Sequence, residues 1–337
     1  MKLEVTKGTS GAHAVTARGL GLGLLVAFSL PLSLPLYAQN YPVKPVRLIA
    51  PFPAGGSSDL IARIVAQRLS EGFPNQVIVE NRPGAGSNLG TQVAARAAPD
   101  GYTLLITSVT AAINATLFKN PGYDLMKDFT PIAKLAVGPT ALVVHPSLPV
   151  QTVPQFIKLA QSRPGQLNYG SGGVGTPAHI CGEMFRVMAK VNIAHVPYKG
   201  NAPALTDLIG GHIEILISGV PAVIGQIKNG RVRAIAIASL KRFPALPDTP
   251  TIDESGLKGF EATTWFGVMA PLKTPRDIIT RLNADLARIV ASAEVRDRFI
   301  GEGVEPIGGP PELFGGFIRD EIDKYAKVVK AANIKAE

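Results

Sequence analysis

The sequence predicts an α/β protein made of two similar units, each a parallel sheet covered on both faces by helices. Three observations predict it. Short β-branched runs alternate with stretches whose apolar residues recur every three or four positions. The alternation comes in two successive sets, each of about 100–130 residues, a domain-sized length. The chain has 337 residues, 46% hydrophobic and 18% charged, which is ample for large cores and excludes intrinsic disorder.

Taken in order, Val46–Ala50 is β-branched and apolar, a strand. Ser57–Ser70 is a helix, since Leu60, Ile61, Ile64, Val65 and Leu69 fall on one face. Val77–Glu80 is a strand, Ser87–Ala97 a helix and Thr103–Thr107 a third strand. Ile132–His145 is apolar throughout and reads as an extended connector. The second set runs from a helix near Pro154 through strand Leu167–Tyr169, helix Thr176–Ala189 and strand Ile193–Val196. Helix Ala202–Ile209 follows, stopped by Gly210 and Gly211, then strands Ile213–Ile217 and Val232–Ala238. Beyond Trp265 two helices are expected, near Pro275–Ala291 and Glu312–Ala332.

The N-terminus is a different kind of segment. Lys2, Lys7 and Arg18 precede an apolar run, Gly19–Leu30, then Pro31, Pro35 and Ala38. A basic stretch, an apolar stretch and a small residue before a cut read as a secretory signal peptide, residues 1–38. The run can be stretched to about 20 residues, a membrane-spanning length. The two prolines and the immediate start of a globular pattern favour cleavage near Ala38. An exported, periplasmic chain is therefore expected. Cleavage removes Lys2, Lys7, Arg18 and Glu4 and takes the formal net charge from +9 to +7. The basic residues are scattered and aromatics are 6%, so no nucleic-acid surface is expected.

Ligands of open α/β sheets bind where strands end and helices begin. Those turns are rich in Gly, Ser and Thr: Pro51–Asp59, Arg82–Asn88, Thr107–Thr110, Gly170–Thr176 and Tyr198–Asn201. Glycines admit close approach, hydroxyls donate, and the free N–H groups of a helix start favour anions. Spread over both halves, these turns point to an anion held between two domains.

Other chemistries fit poorly. Gly170–Gly175 matches G-x-G-x-x-G, but no acid follows about 20 residues on, as a dinucleotide site requires. There is no P-loop and no G-x-S-x-G elbow. His179 and Glu183 share a helix face, but two groups do not make a metal site. His145, His195 and His212 read as structural, and the single Cys181 as a buried residue. Neither metal nor cofactor is expected.

Several segments resemble one known family. They are Pro51–Asp59, Glu80–Gly86, Pro99–Leu105, Asp128–Ile132, Gly165–Ser171, His195–Gly200, Thr206–Gly211, Phe243–Asp248, Glu254–Gly256, Trp265–Gly267 and Val328–Asn333. Together they resemble the Bug-type periplasmic solute receptors of tripartite tricarboxylate transporters, over essentially all of 41–337. The resemblance implies a two-lobed flytrap of the type II periplasmic-binding-protein fold. Residues 41–139 and 265–337 would form lobe 1 and residues 140–264 lobe 2. It implies a non-enzyme, usually monomeric, that binds a small carboxylate between the lobes, closes, and delivers it to a membrane permease.

The family's binding loops carry over by position. Phe52, Ala54, Gly55, Gly56, Ser57, Ser58 and Asp59 match the loop that closes over a carboxylate, partly through ordered water. Ser171, Gly172, Gly175, Thr176 and His179 match the second-lobe loop, and Tyr198 to Ala202 a further wall. Ser108, Asn114 and Ser218 complete the candidate set. Three positions depart from the family pattern: Ala111 for His, Ala115 for Pro, and Ser218 where members binding amino-group ligands often carry Asp. The last departure favours a plain carboxylic acid over an amino acid. Two alternatives stand beside the receptor: a sensor subunit that presents its ligand to a signalling partner, and an isomerase or lyase for which only Asp59 and His179 are on offer.

Overall fold

Residues 41–331 and 334–335 are described by the computed structural model. The predicted signal peptide, 1–38, lies outside the described residues. Among them the chain runs β1 (Val46–Ala50), α1 (Ser57–Gly72), β2 (Val77–Asn81), α2 (Asn88–Ala95), β3 (Thr103–Ser108), α3 (Val109–Leu117) and β4 (Phe129–Val144). Then come α4 (Val153–Ser162), β5 (Asn168–Ser171), α5 (Pro177–Ala189), β6 (Ala194–Pro197), α6 (Asn201–Ile209), β7 (Ile215–Gly219), α7 (Val220–Lys228) and β8 (Arg233–Ile237). The chain continues with β9 (Thr263–Pro271), α8 (Arg276–Ala291), α9 (Ala293–Gly301), β10 (Glu305–Pro306) and α10 (Pro311–Ala331).

The strands are ordered β2-β1-β3-β9-β4-β7-β5-β6, with β8 and β10 also paired to β4. β1 pairs in parallel with β2 and β3, and β5 in parallel with β6 and β7. Between these two groups the pairing is antiparallel, through β9 and β4. The expected connector at 132–145 is therefore a strand of 16 residues. Its first part, Phe129–Pro139, pairs with β9, and Thr140–Val144 pairs with β7 and β8. A run apolar on both faces carries no period-2 signal, which is why the sequence reads there as a connector.

Each group of strands is covered on both faces. Leu48 and Leu104 pack toward Ile61, Leu69, Leu282 and Phe299 of α1, α8 and α9. Their neighbours Ile49 and Leu105 pack toward Ile113, Phe314 and Ile318 of α3 and α10. In the second group Tyr169 and Ile217 meet Phe156 and Phe185 of α4 and α5, while Leu216 meets Leu208 and Val223 of α6 and α7. Successive strand residues point to opposite faces, so both faces must be apolar. The helices α3, α7 and α9 are not expected from the sequence. Each has nine residues, and Pro221 in the first turn of α7 reads as a break when only the sequence is seen.

Candidate functional site

At Val137–Pro139 the two crossing strands pair directly with Thr263–Trp265. Just beyond, the Thr140 N–H donates to the Ala262 carbonyl at 3.3 Å. A cavity of about 60 Å³ lies over this crossing, with Thr140, Thr264 and Phe266 in its wall. Five helices begin at the same cavity: α1 at Gly56–Ser58, α3 at Ser108–Thr110, α5 at Thr176–Ala178, α6 at Gly200–Ala202 and α7 at Gly219.

Four of these starts, those of α1, α3, α6 and α7, have no side-chain cap. The first N–H groups of a helix lack partners inside it, and the peptide dipoles add a partial positive charge there. The fifth, α5, is capped by Thr176, whose Oγ1 accepts the His179 N–H at 3.3 Å. Among the described residues, those lining the cavity include no Asp, Glu, Lys, Arg or His. Two hydroxyls in the wall, Ser57 Oγ and Thr140 Oγ1, are buried without a hydrogen-bond partner among the described residues. A buried donor left unmade costs about 1–3 kcal/mol, so these two groups are conspicuous. The arrangement is an uncharged set of donors around a small cavity, the kind of setting in which helix starts favour an anion.

The two sides of the cavity touch. A methyl on Gly200 would lie 3.0 Å from Pro53 of the other side, and one on Gly172 2.5 Å from Asn201 Oδ1 of its own side. Gly200 also has φ +119°, a conformation that side chains rarely adopt. Glycine there meets both demands, and it lets Gly200 and Pro53 approach closely in the cavity wall.

Of the predicted site residues, Phe52, Ala54, Gly56, Ser57, Ser58, Ser108, Gly172, Thr176 and Ala202 are brought together in this wall. The others stand behind it. The Gly55 N–H donates to Asp59 Oδ2 at 2.9 Å. Asp59 also accepts from Arg63 Nε at 2.9 Å and Asn81 Nδ2 at 2.9 Å. Burial pushes the Asp59 carboxyl up, but the hydrogen bonds from Arg63, Gly55 and Asn81 outweigh it and hold it below the ordinary carboxylate range. Asp59 thus braces the loop from behind. Asn114 is buried and bonds Gly86 and Asn88 through Nδ2, while its Oδ1 lies 2.5 Å from where a methyl on Gly175 would be. Ser171 and His179 flank the second-lobe loop, with the Gly175 N–H donating to His179 Nδ1 at 3.3 Å. Tyr198 faces an outer groove and donates to Asp207 at 2.7 Å. Ser218 is buried, with its hydroxyl 3.3 Å from the Gly219 carbonyl.

Sequence reasoning missed Thr140, Thr264 and Phe266. They sit within β4 and β9 and in no strand-to-helix turn, and only the pairing of these strands brings them under the helix starts. Gly200 and Asn201 fall inside the predicted Tyr198–Ala202 wall.

Residues 61–334 match the model of the tripartite tricarboxylate transporter family receptor, TctC. The chain belongs to this family. Protein BugT of Bordetella pertussis is 36% identical over 316 residues, 93% of this chain and 97% of BugT, which makes it a Bug-type receptor. The solved R. palustris protein Rpa4515 with adipate superposes with a TM-score of 0.85 at 37% identity, covering 88% of this chain and 99% of that one. MatC of Rhodopseudomonas palustris with bound malate gives 0.82 at 30% identity, covering 86% and 100%. The receptor has the type II periplasmic-binding-protein fold, and family members are periplasmic binding proteins.

Proposed function

We propose that this receptor is exported, takes a small plain carboxylate into the cavity over the β4–β9 crossing, closes on it and hands it to a tripartite-type permease. The bodies that close are 41–139 with 265–337, and 140–264, hinged near Val137–Leu142 and Ala262–Phe266. The carrying observation is the convergence of five helix starts on one cavity with two unpartnered hydroxyls, Ser57 and Thr140.

The energetics need no arginine clamp. Hydrogen bonds to a charged group contribute about 1.5–3 kcal/mol each. Four or five, less the losses of association, reach about −8 kcal/mol, a micromolar constant. The uncharged wall offers nothing to an ammonium group, which favours plain acids over amino acids. Asp59 stands behind the wall, engaged by three donors, and the residues that line the cavity are uncharged, which supports binding over catalysis. Each lobe supplies part of the donor set, so ligand favours the closed form and shifts the population toward it.

The test uses residues 39–337, unfolded and refolded to strip bound ligand. The melting temperature is read against adipate, malate, succinate, citrate, benzoate and glutamate. A ligand at a hundred times its dissociation constant stabilises by about 2.7 kcal/mol, several degrees here. A dose-dependent rise with plain acids, and none with glutamate, is expected. A cooperatively folded sample that responds to no acid overturns the reading. Delivery is tested by ligand uptake in cells carrying the permease, with and without the receptor.

A further inference from the structure

We infer that His195 is a positioning residue for the cleft, acting through Ser171 to fix the backbone of the 172–176 loop against the ligand. The inference rests on the receptor reading above, in which that loop supplies part of the cavity wall.

His195 stands on β6, outside the cavity, and its neighbours explain the role. Its ring is stacked between Tyr169, at 4.9 Å between centroids, and His179, at 4.3 Å. Its Nε2 lies 2.7 Å from Ser171 Oγ, which is fully buried. Ser171 Oγ in turn accepts the Gly173 N–H at 3.1 Å, closing a small turn around Gly172. The far end of the loop is held by the other ring of the stack, where His179 Nδ1 accepts the Gly175 N–H at 3.3 Å. Thr176 Oγ1 ties the two ends together by donating to the Gly173 carbonyl at 2.7 Å. Between these fixed points the loop presents Gly172 and Thr176 to the cavity.

The loop contains three glycines in five residues, Gly172, Gly173 and Gly175 among 172–176, so its backbone has little intrinsic preference. Its conformation must be imposed from outside. A neutral imidazole can impose it, because either tautomer bonds the serine hydroxyl. It also adds no charge to a wall that selects anions by uncharged donors. Burial, His179 and Arg186 all push His195 down, to about 3, so the ring stays neutral at ordinary pH.

Three variants of the full exported chain test this. His195→Phe keeps the ring stack and removes the hydrogen bond. Ser171→Ala removes the same bond from the other end, together with the acceptor of the Gly173 N–H. His195→Gln restores a hydrogen-bonding group. Amide hydrogen exchange without ligand is the first readout. Loss of one neutral hydrogen bond predicts about three- to tenfold faster exchange at Gly172, Gly173 and Gly175 in each of the first two variants. Exchange at Gly55–Ser58 should stay unchanged, the double variant should be no faster than Ser171→Ala alone, and Gln should restore part of the protection. Unchanged exchange in 172–176 in both single variants overturns the inference. So does an increase spread evenly over the whole lobe. The second readout is adipate affinity, expected to weaken by a similar factor. If the wild-type protein binds no acid, the receptor reading falls, and the exchange result still decides the role of His195.

Discussion

The two loops that face each other across the cavity are braced by opposite chemistry. On one side Asp59 holds the Gly55 N–H with an ionised carboxylate, itself tied to Arg63 and Asn81. Arg63 is half exposed, so this brace reaches solvent. On the other side Ser171 and two stacked imidazoles hold the loop with neutral groups inside the fold. The contrast teaches that charge is permitted behind the wall only where water can share it. It also makes the sides separable by experiment, since salt and pH act on them differently.

The largest effect expected comes from filling the second side, where the Gly172 loop meets the start of α6. Gly172→Val places its first added carbon 2.5 Å from Asn201 Oδ1. Several charge-assisted hydrogen bonds are then displaced together, so affinity should fall by more than about a hundredfold. The melting temperature of the ligand-free protein should stay within a few degrees. Undiminished binding with a normal melting profile would remove this loop from the site.

Next in size are the two unpartnered hydroxyls, one on each side of the crossing. Ser57→Ala and Thr140→Val each remove a buried donor that has no partner among the described residues. Affinity should fall about ten- to a hundredfold per variant, the worth of a hydrogen bond to a charged group. Stability without ligand should hold or rise, because an unsatisfied buried group is removed. A fall in melting temperature with unchanged affinity would show that the hydroxyls serve the fold instead.

The two sides are also unequally legible. Gly-Gly-Ser-Ser before Asp59 and Gly-Gly-Val-Gly-Thr before Pro177 announce helix starts, and these loops do form the wall. Asp59 and His179 look like ligand groups because residue type and position are visible in sequence, whereas the direction of a side chain is not. Asp59 turns back to Gly55 and Asn81, and His179 turns back to Gly175. Thr140, Thr264 and Phe266 are illegible for a different reason. Their place depends on the pairing of β4 with β9, more than 100 residues apart, and no local pattern encodes that pairing.

Acidification should separate the sides by a smaller margin. His195 is lowered to about 3 from an ordinary 6.5, by burial first, then by His179 and Arg186 of α5. The unfolded chain therefore binds a proton that the folded one refuses between those values. This part of the stability is complete above about pH 6.5 and is lost progressively as pH falls toward 3. His195→Phe cannot titrate, so its melting temperature should fall less steeply between pH 6.5 and pH 5. Asp59 contributes in the same direction at lower pH, since its carboxyl is also held down, but equally in both proteins. Parallel curves for wild type and variant would show that the imidazole is not held neutral by the fold.

The smallest effect tests the solvent-shared brace. Arg63→Gln removes the ion pair with Asp59 and leaves the bonds from Gly55 and Asn81 in place. Exposed pairs contribute about 0.2–1 kcal/mol, so affinity should weaken by no more than about fivefold. The loss should shrink in 1 M salt, where screening has already weakened the wild-type pair. Asp59→Asn, by contrast, leaves the Gly55 N–H without its charged acceptor. It should weaken binding about tenfold at either salt concentration. If Arg63→Gln proved as damaging as Asp59→Asn, and equally so in high salt, the brace would depend on the cation itself. The two sides of the cleft would then differ only in their residues, not in how solvent shares the load.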